Sequence, residues 1–386
     1  MRHDNSVFHQ LLKHLPWAEF DRLVDKHRAD HRVRRLTSKS QLLALLFAQL
    51  SGASSLREIE AGLKSHSARL YHLGGRSIAR TTLADANRSR PSGLFAELFA
   101  HMVKASRRSR RQMGDAVRIL DATRIELSSL SGGWLTAMNG RHAVKLHIAY
   151  DPKAAMPLAV DVTGGRVNDI TPAKARPIEP ETTYVFDLAY YDYGWWADLD
   201  AHGCRFVSRL KRHTQLEAAT ERAVPGSTGI LADRIGRLPQ RMAGSRRNPF
   251  AAPLREITVR IATGKIIRLV TNDLDAPAEE IAGLYKERWQ IELFFKWIKQ
   301  NLKLGHFLGT SENAVRIQLF VALIAYMLLR LAQAAQATQT AIRQPRAFAK
   351  LVRLNLMHLR PIDGLNGPSP PRPHDPRQMK LELASC

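Results

Sequence analysis

Two aspartates follow short apolar runs, at positions where a folded sheet could bring them together. Asp121 comes directly after the run AVRIL at residues 116–120, and Asp187 comes after TYVF at residues 183–186. Both runs are rich in apolar and β-branched residues and predict strands. An acid that follows a strand lies at the carboxyl edge of a sheet, where open α/β folds build their sites. Taken alone, either aspartate is more typical of a turn or a helix cap.

A third acid, Glu292, lies in a segment that predicts one long helix over residues 276–304. At about 100° per residue, one helix face holds four polar groups within about 60°, with two lysines beside them. These residues are Tyr285, Arg288, Glu292 and Lys299, flanked by Lys296 and Lys303. A solvated face with i,i+4 pairs is the alternative, but such a face usually alternates in sign. This one is cationic around a single acid, which favours a site.

Three carboxylates brought close together repel one another and raise their pKa values unless a cation neutralises them. Oxygen ligands of this kind suit Mg²⁺ or Mn²⁺. Two such ions can activate a water or hydroxyl and stabilise the leaving oxygen of a phosphodiester. The surrounding cations and tyrosine hydroxyl would hold a DNA backbone. The pattern therefore predicts a metal site for phosphodiester chemistry.

The charge of the chain indicates the same partner. It carries 58 Lys and Arg against 35 Asp and Glu, a formal net charge of +23. A surplus of this size predicts a polyanionic partner, with nucleic acid favoured and a membrane surface as the weaker alternative. A content of 45 % hydrophobic and 24 % charged residues excludes a disordered chain. Only two cysteines are present, which excludes a disulfide framework and a multi-cysteine zinc site.

Hydrophobicity predicts a protein of the cytoplasm with no membrane partner. No apolar segment of signal-peptide type follows the first residues. The longest apolar run, residues 319–329, is too short to span a bilayer and predicts a buried helix.

Periodicity and composition divide the chain into regions. Residues 1–103 predict an all-helical amino-terminal domain, either a DNA-binding module or a helical domain with a basic solvated face. The basic run at 104–114 predicts a linker. Residues 115–335 predict an α/β domain with a mixed sheet, interrupted by a β-rich insertion at about 212–272. Within the insertion, the runs at 254–261 and 265–271 predict a β-hairpin. Residues 336–386 predict a basic, proline-rich tail.

The site residues resemble those of a known family. Tyr285, Arg288, Glu292 and Lys299 match the Y-(2)-R-(3)-E-(6)-K signature of the insertion sequence 4 family of bacterial DDE transposases. The sequences Asp121-Ala-Thr and Asp187-Leu-Ala-Tyr resemble the family's first and second aspartate motifs, in the family's order and separation. The resemblance covers about residues 117–303, roughly half of the chain.

The resemblance implies a fold and an activity. The expected fold is a ribonuclease H-like mixed sheet flanked by helices, with a β-rich insertion before the glutamate helix. The expected activity is metal-dependent DNA cleavage at transposon ends and strand transfer into target DNA. The implied partners are the terminal inverted repeats, the target DNA and, in the DNA complex, a second copy of the chain.

The resemblance also implies residue roles. Asp121, Asp187 and Glu292 would be the catalytic residues and would bind two Mg²⁺ or Mn²⁺ ions. Tyr285, Arg288 and Lys299 would contact DNA near the cleaved end. Lys296 and Lys303 are not part of the family signature and are predicted to bind DNA because they lie beside that helix face.

Two other activities remain open at this point. One is a nuclease that cuts DNA without joining it, and the other is a catalytically silent DNA-binding protein derived from a transposase. The intact acids argue against the silent protein. Asp169 is a reserve candidate for the place of Asp187. Trp195 and Trp196 could stack on an unpaired base, although core packing is the more typical role of such a pair.

Overall fold

The amino-terminal part of the chain is helical, as the sequence predicts. The computed structural model describes residues 5–71, 77–109, 116–131, 133–135, 141–224, 229–240, 247–261, 263–301, 307–335 and 345–365. The first helices are α1 (Val7–Leu12), α2 (Trp17–Lys26), α3 (Ser38–Ser51), α4 (Leu56–Ser65), α5 (Ser67–Tyr71), α6 (Arg80–Ser89) and α7 (Ser92–Ser109).

Local hydrogen bonds set where these helices begin and end. The Thr37 hydroxyl accepts a hydrogen bond from the Ser40 amide at 3.2 Å and caps α3. Helix α3 ends at Gly52, whose φ of 80° is readily adopted by glycine. Helix α7 continues to Ser109, into the segment predicted as a linker at 104–114, because one of its faces is buried against later elements.

One mixed sheet follows the amino-terminal helices. Its strands are β1 (Ala116–Leu127), β2 (His142–Asp151), β3 (Met156–Gly164), β4 (Thr182–Val185), β5 (Arg205–Arg209), β6 (Glu217–Glu221), β7 (Ile230–Arg237), β8 (Leu254–Arg260) and β9 (Ile266–Thr271). Helix α8 (Ile170–Ala175) lies between β3 and β4, and α9 (Tyr193–Ala201) lies between β4 and β5. The strand order is β3-β2-β1-β4-β5-β9-β8-β7-β6.

The first five strands form the predicted ribonuclease H-like core. Strands β1, β2 and β3 pair antiparallel, whereas β4 pairs parallel with β1 and β5 pairs parallel with β4. The mixed α/β fold with an amino-terminal helical region is thus confirmed.

The inserted strands extend this same sheet. Strand β9 pairs antiparallel with β5, with Thr271 opposite Val207. The predicted hairpin of β8 and β9 is present, but β6 and β7 were not predicted. Strand β6 reads EAATE and is exposed along its whole length, so it has no apolar alternation to reveal it.

Four helices follow the sheet: α10 (Ala278–Glu287), α11 (Trp289–Asn301), α12 (Glu312–Ala334) and α13 (Pro345–Asn355). Helix α12 is long and apolar enough to cross a bilayer, but most of it is buried inside the protein, as the sequence predicts for a core helix. It packs on α3, α6, α7 and α13. Helix α13 forms within the predicted tail because Phe348 and Val352 are buried on one of its faces.

Two hydrophobic cores sandwich the sheet. One joins the amino-terminal helices, α11 and α12 to the face of the sheet that carries Ile119 and Val185. The other lies on the opposite face and is rich in aromatic residues, including Phe186, Trp195 and Trp196. Because the amino-terminal helices share the first core with the sheet, the described part of the chain packs without a break between the predicted regions.

Candidate active site

The strand register places the two aspartates next to each other. Strands β1 and β4 pair in parallel, with Ile119 opposite Val185. Asp121 and Asp187 each follow two residues later, on the same side of the sheet because side chains alternate along a strand. Adjacent strands lie about 4.8 Å apart, so the two carboxylates are neighbours.

Strand β1 does not end before Asp121, contrary to the prediction. It continues to Leu127, because β2 pairs with it as far as His142. Asp121 therefore lies in mid-strand, at the level where the parallel partner β4 ends after Val185.

Backbone amides hold one oxygen of each aspartate. Asp121 Oδ1 accepts a hydrogen bond from the Ala122 amide at 2.8 Å. Asp187 Oδ1 accepts one from the Ala189 amide at 2.8 Å and caps the short turn that follows β4. These bonds fix where the remaining oxygens lie.

The predicted single helix over 276–304 is wrong, because it is divided at Arg288. Helix α10 ends at Glu287 and α11 begins at Trp289. The Arg288 amide donates to the Tyr285 carbonyl at 3.1 Å, and the Ile291 amide donates to the Arg288 carbonyl at 3.2 Å. Both bonds span three residues, which is tighter than an α-helix.

Packing explains the break. Helix α10 contacts β5, β7, β8 and β9, whereas α11 contacts β1, α12 and α13. The Arg288 backbone keeps α-helical dihedrals, with φ −53° and ψ −29°, and its side chain contacts both Tyr285 and Glu292, so these three residues still share one face.

Arg288 links the glutamate helix to the first aspartate. Its Nη2 donates to Glu292 Oε1 at 2.5 Å, and its Nη1 lies 3.5 Å from Asp121 Oδ2. Its guanidinium carbon lies 5.7 Å from the centre of the Tyr285 ring. The structure thus gathers Asp121, Asp187, Glu292 and Arg288 at one edge of the sheet, with Tyr285 beside them.

The neighbouring acids shift the pKa of Asp121 electrostatically. Burial raises the pKa of Asp121 to about 7, and the charges of Asp187 and Glu292 act in the same direction. The Ala122 amide and the Arg288 guanidinium oppose this rise in pKa. A raised pKa is expected for a buried carboxylate that lies close to two other acids.

This raised pKa predicts a pH-dependent effect of Asp121→Asn on stability without divalent metal. Between about pH 4 and pH 7 the folded protein holds a proton that the unfolded chain has released, so stability falls as pH rises. Asparagine removes that loss, so the variant should exceed wild type by about 2–4 kcal/mol at pH 8 and by little at pH 4. Urea unfolding with a chelator measures both values. An equal difference at both pH values would contradict the prediction, and Asp198→Asn on α9 is the exposed control.

The carboxylate oxygens suit divalent metals, but the three acids are not close enough together to coordinate one ion. Three carboxylates offer the oxygen ligands that Mg²⁺ and Mn²⁺ prefer. Among the residues that the structure describes, no three His, Cys, Asp or Glu side chains form a group that could hold an ion. The Arg288 side chain instead lies between Asp121 and Glu292.

The predicted DNA-contacting residues are divided between the two helices. Tyr285 is half-buried on α10, and burial raises the pKa of its hydroxyl while Arg288 and Arg209 oppose the rise. Lys296 and Lys299 are exposed on α11. Partial burial of the Lys299 side chain lowers the pKa of its amine.

Lys303 lies outside the described residues. The sequence predicts Arg209 only as one of several basic residues that flank the site, and the structure places it at the end of β5 beside the Asp187 strand. Its position as a basic residue at the end of a predicted strand was the available signal.

Three other expectations are decided by burial and contacts. Trp195 and Trp196 are 3 % and 0 % exposed, so core packing is confirmed and base stacking is wrong. Asp169 accepts a hydrogen bond at 2.7 Å from the side chain of Lys145 on β2, away from the β1–β4 ladder. Asp187 therefore keeps the place beside Asp121.

Comparison with known proteins identifies the class. Residues 112–328 match the family model "Transposase DDE domain", and residues 3–76 match a domain of unknown function, DUF4372. The chain belongs to the DDE transposases of bacterial insertion sequences and is a DNA transposase, as the motif resemblance implied.

Individual relatives carry the same description. The "Putative transposase y4zB" of Sinorhizobium fredii is 40 % identical over 299 residues, which cover 77 % of this chain and 83 % of that protein. The "Probable transposase for insertion sequence element IS5377" of Geobacillus stearothermophilus is 30 % identical, covering 74 % of this chain and 75 % of the relative. The piggyBac transposase synaptic complex with hairpin DNA is a similar solved structure, with a TM-score of 0.46, 10 % identity, and coverage of 90 % of this chain and 77 % of that one.

Proposed function

We propose that this transposase cuts DNA at the ends of an insertion sequence and joins those ends to target DNA in a metal-dependent reaction. The observation that carries the proposal is the placement of Asp187 beside Asp121 on parallel strands, together with the contacts of Arg288 with Asp121 and Glu292. Strands and a helix that are far apart in sequence supply these acids, and a DDE transposase requires three of them.

The three carboxylates would hold two Mg²⁺ or Mn²⁺ ions. Such ions, when bound, activate the attacking oxygen and stabilise the leaving oxygen of a phosphodiester. The Arg288 guanidinium can hold a phosphate through two parallel hydrogen bonds, and the Tyr285 hydroxyl lies beside it. These two residues would orient the DNA end against the acids.

The wider basic surface would bind the rest of the DNA. Exposed Lys211 and Arg212 follow β5 at the edge that carries Asp187. Helix α6 exposes Arg80 and Arg88 while its other face is buried, which supports a DNA-binding role for the amino-terminal helices. The partners proposed are the terminal inverted repeats, the target DNA and a second copy of the chain, in the cytoplasm.

Cleavage and joining are tested separately. A supercoiled plasmid that carries both element ends should be cut when Mg²⁺ is added, which a silent DNA-binding protein would not do. A duplex with a pre-cut end should then be joined to a second plasmid. Cleavage without joining would contradict the transposase proposal in favour of a nuclease.

Lys299 is expected to hold DNA rather than metal. It lies seven residues beyond Glu292 on α11, about 10 Å along the helix axis. This separation is too long for a shared metal site but suits a phosphate one or two nucleotides from the cut.

Lys299→Ala should weaken binding of an element-end duplex about tenfold, because one charge-assisted phosphate contact is lost. The slope of log affinity against log salt should become shallower by about 0.9, since one fewer counterion is released. Gel shifts at several salt concentrations measure both quantities. Mn²⁺ affinity should not change, and a loss equal to that of Glu292→Ala would overturn this division of roles.

A further inference from the structure

Arg288 lies where it holds apart two of the acids that are proposed to bind metal. We propose that Arg288 closes the metal site in the DNA-free protein and that a DNA phosphate opens it by drawing the guanidinium away. Metal binding and DNA-end binding would then be coupled through one side chain. This inference rests on the proposed function, because it requires Asp121 and Glu292 to be metal ligands.

The contacts of the guanidinium support the closed state. One Arg288 nitrogen donates to Glu292 at 2.5 Å and another lies 3.5 Å from Asp121. The side chains of Arg288 and Asp121 are each 17 % exposed, so water screens this pair weakly. Since Asp121 belongs to β1 and Glu292 to α11, the same guanidinium joins the two elements that must supply ligands.

One donor of Arg288 is left over in this state. Its Nε is buried and has no hydrogen-bond partner among the described residues. A purely structural ion pair would be expected to satisfy that donor, because an unpaired buried polar group costs about 1–3 kcal/mol. A phosphate can accept from Nε and one Nη together, so the guanidinium gains a hydrogen bond by turning to DNA.

Charge balance favours exchange rather than permanent closure. One guanidinium contacts two carboxylates, Asp121 and Glu292, and Asp187 adds a third negative charge near Asp121, so the group keeps a net negative charge. Divalent ions would complete that neutralisation once the guanidinium has moved. The Arg288 backbone is held by hydrogen bonds on both sides, so the side chain is the part that moves.

The coupling must act in both directions. If an end duplex raises metal affinity by some factor, metal raises affinity for that duplex by the same factor. The free protein would then carry little metal and would complete its site only on DNA. This would limit cleavage at DNA that does not engage Arg288.

Mn²⁺ binding tests the inference without using activity. Free Mn²⁺ is followed by electron paramagnetic resonance, with and without a duplex that carries the terminal repeat found beside the gene. Wild type should bind Mn²⁺ at least about tenfold more tightly when the duplex is present. Arg288→Ala should bind it at least about tenfold more tightly than wild type without DNA, and the duplex should add little.

Other variants separate the contact from general charge. Lys286→Ala removes an exposed cation two residues before Arg288, at the end of α10, and should change DNA-free Mn²⁺ affinity by no more than about twofold. Arg288→Met keeps most of the aliphatic stem and should match the alanine variant if that variant folds poorly. Circular dichroism melting verifies the fold of each protein.

Two results have different consequences. If Glu292→Gln binds Mn²⁺ as tightly as wild type on DNA, the proposed metal site itself is wrong. If Glu292→Gln loses Mn²⁺ but neither Arg288 variant gains affinity without DNA, the metal site stands and the closing role of Arg288 is overturned.

Discussion

Alanine at Asp121, Asp187 or Glu292 should lower Mg²⁺-dependent DNA cleavage by at least about 1,000-fold, or about 4 kcal/mol of transition-state stabilisation. Each acid would supply ligands that the other two cannot replace, because they lie on different elements. DNA affinity should remain within a few-fold of wild type, since it comes mainly from phosphate contacts elsewhere. Plasmid cleavage and gel shifts on the same preparations measure the two effects.

A neighbouring acid provides the control for this experiment. Glu287 ends α10, five residues before Glu292, and Glu287→Gln should keep at least about half of the cleavage rate. Near-normal cleavage by Glu292→Ala would remove Glu292 from the site. Loss of cleavage together with loss of DNA binding would instead indicate a folding defect.

The site was predictable where chemistry is written into local spacing. The signature on Tyr285, Arg288, Glu292 and Lys299 and the order of the aspartates predicted residues that the structure brings close together, while their catalytic roles stay a prediction. Long-range pairing was not predictable. The run after Asp121, ATRIEL, is partly polar and gives no local signal that β1 continues to Leu127 by pairing with β2.

The break at Arg288 has a tertiary cause for the same reason. Gly283 lies five residues before the break and no proline lies between Ala278 and Asn301, so local propensity predicts one helix that continues through Arg288. The break comes from two packing surfaces that only the folded sheet provides. The contact of Arg288 with Glu292 is an i,i+4 pair that the helical wheel predicts, whereas its approach to Asp121 depends on the packing of α11 against β1.

The fold was predictable to a similar degree. Strongly apolar α12 and the alternating hairpin of β8 and β9 follow directly from periodicity. In strand β7 a bulge beside Leu231 shifts the register, so the buried side chains of Ile230 and Asp233 lie three residues apart instead of two. Trp195 and Trp196 follow Asp187 closely in sequence, yet both are buried core residues and do not belong to the site.

A buried ion pair positions the helix that carries Tyr285 and precedes Arg288. Arg255 on β8 is 2 % exposed, and its Nε and Nη2 donate to the two oxygens of Asp233 on β7 at 2.8 and 2.7 Å. Its Nη1 donates to the carbonyl of Ala276, just before α10 begins. One side chain therefore joins two inserted strands to the start of α10.

Arg255→Ala should lower the free energy of unfolding by about 3 kcal/mol, because it leaves the buried Asp233 carboxylate without its main partner. Arg222 lies 3.9 Å from Asp233 and can compensate only in part. Urea unfolding measures the loss, and Arg260→Ala, an exposed arginine of the same strand, is the matched control. A loss below about 1 kcal/mol would show that the pair contributes little.

The double variant Arg255→Met with Asp233→Leu separates stability from positioning. Apolar residues of similar volume often replace a buried ion pair without loss, so unfolding stability should recover by at least about 2 kcal/mol. Plasmid cleavage should stay several-fold below wild type, because no side chain then holds the Ala276 carbonyl and the start of α10. Full recovery of cleavage with stability would mean that β7 and β8 support α10 through packing alone.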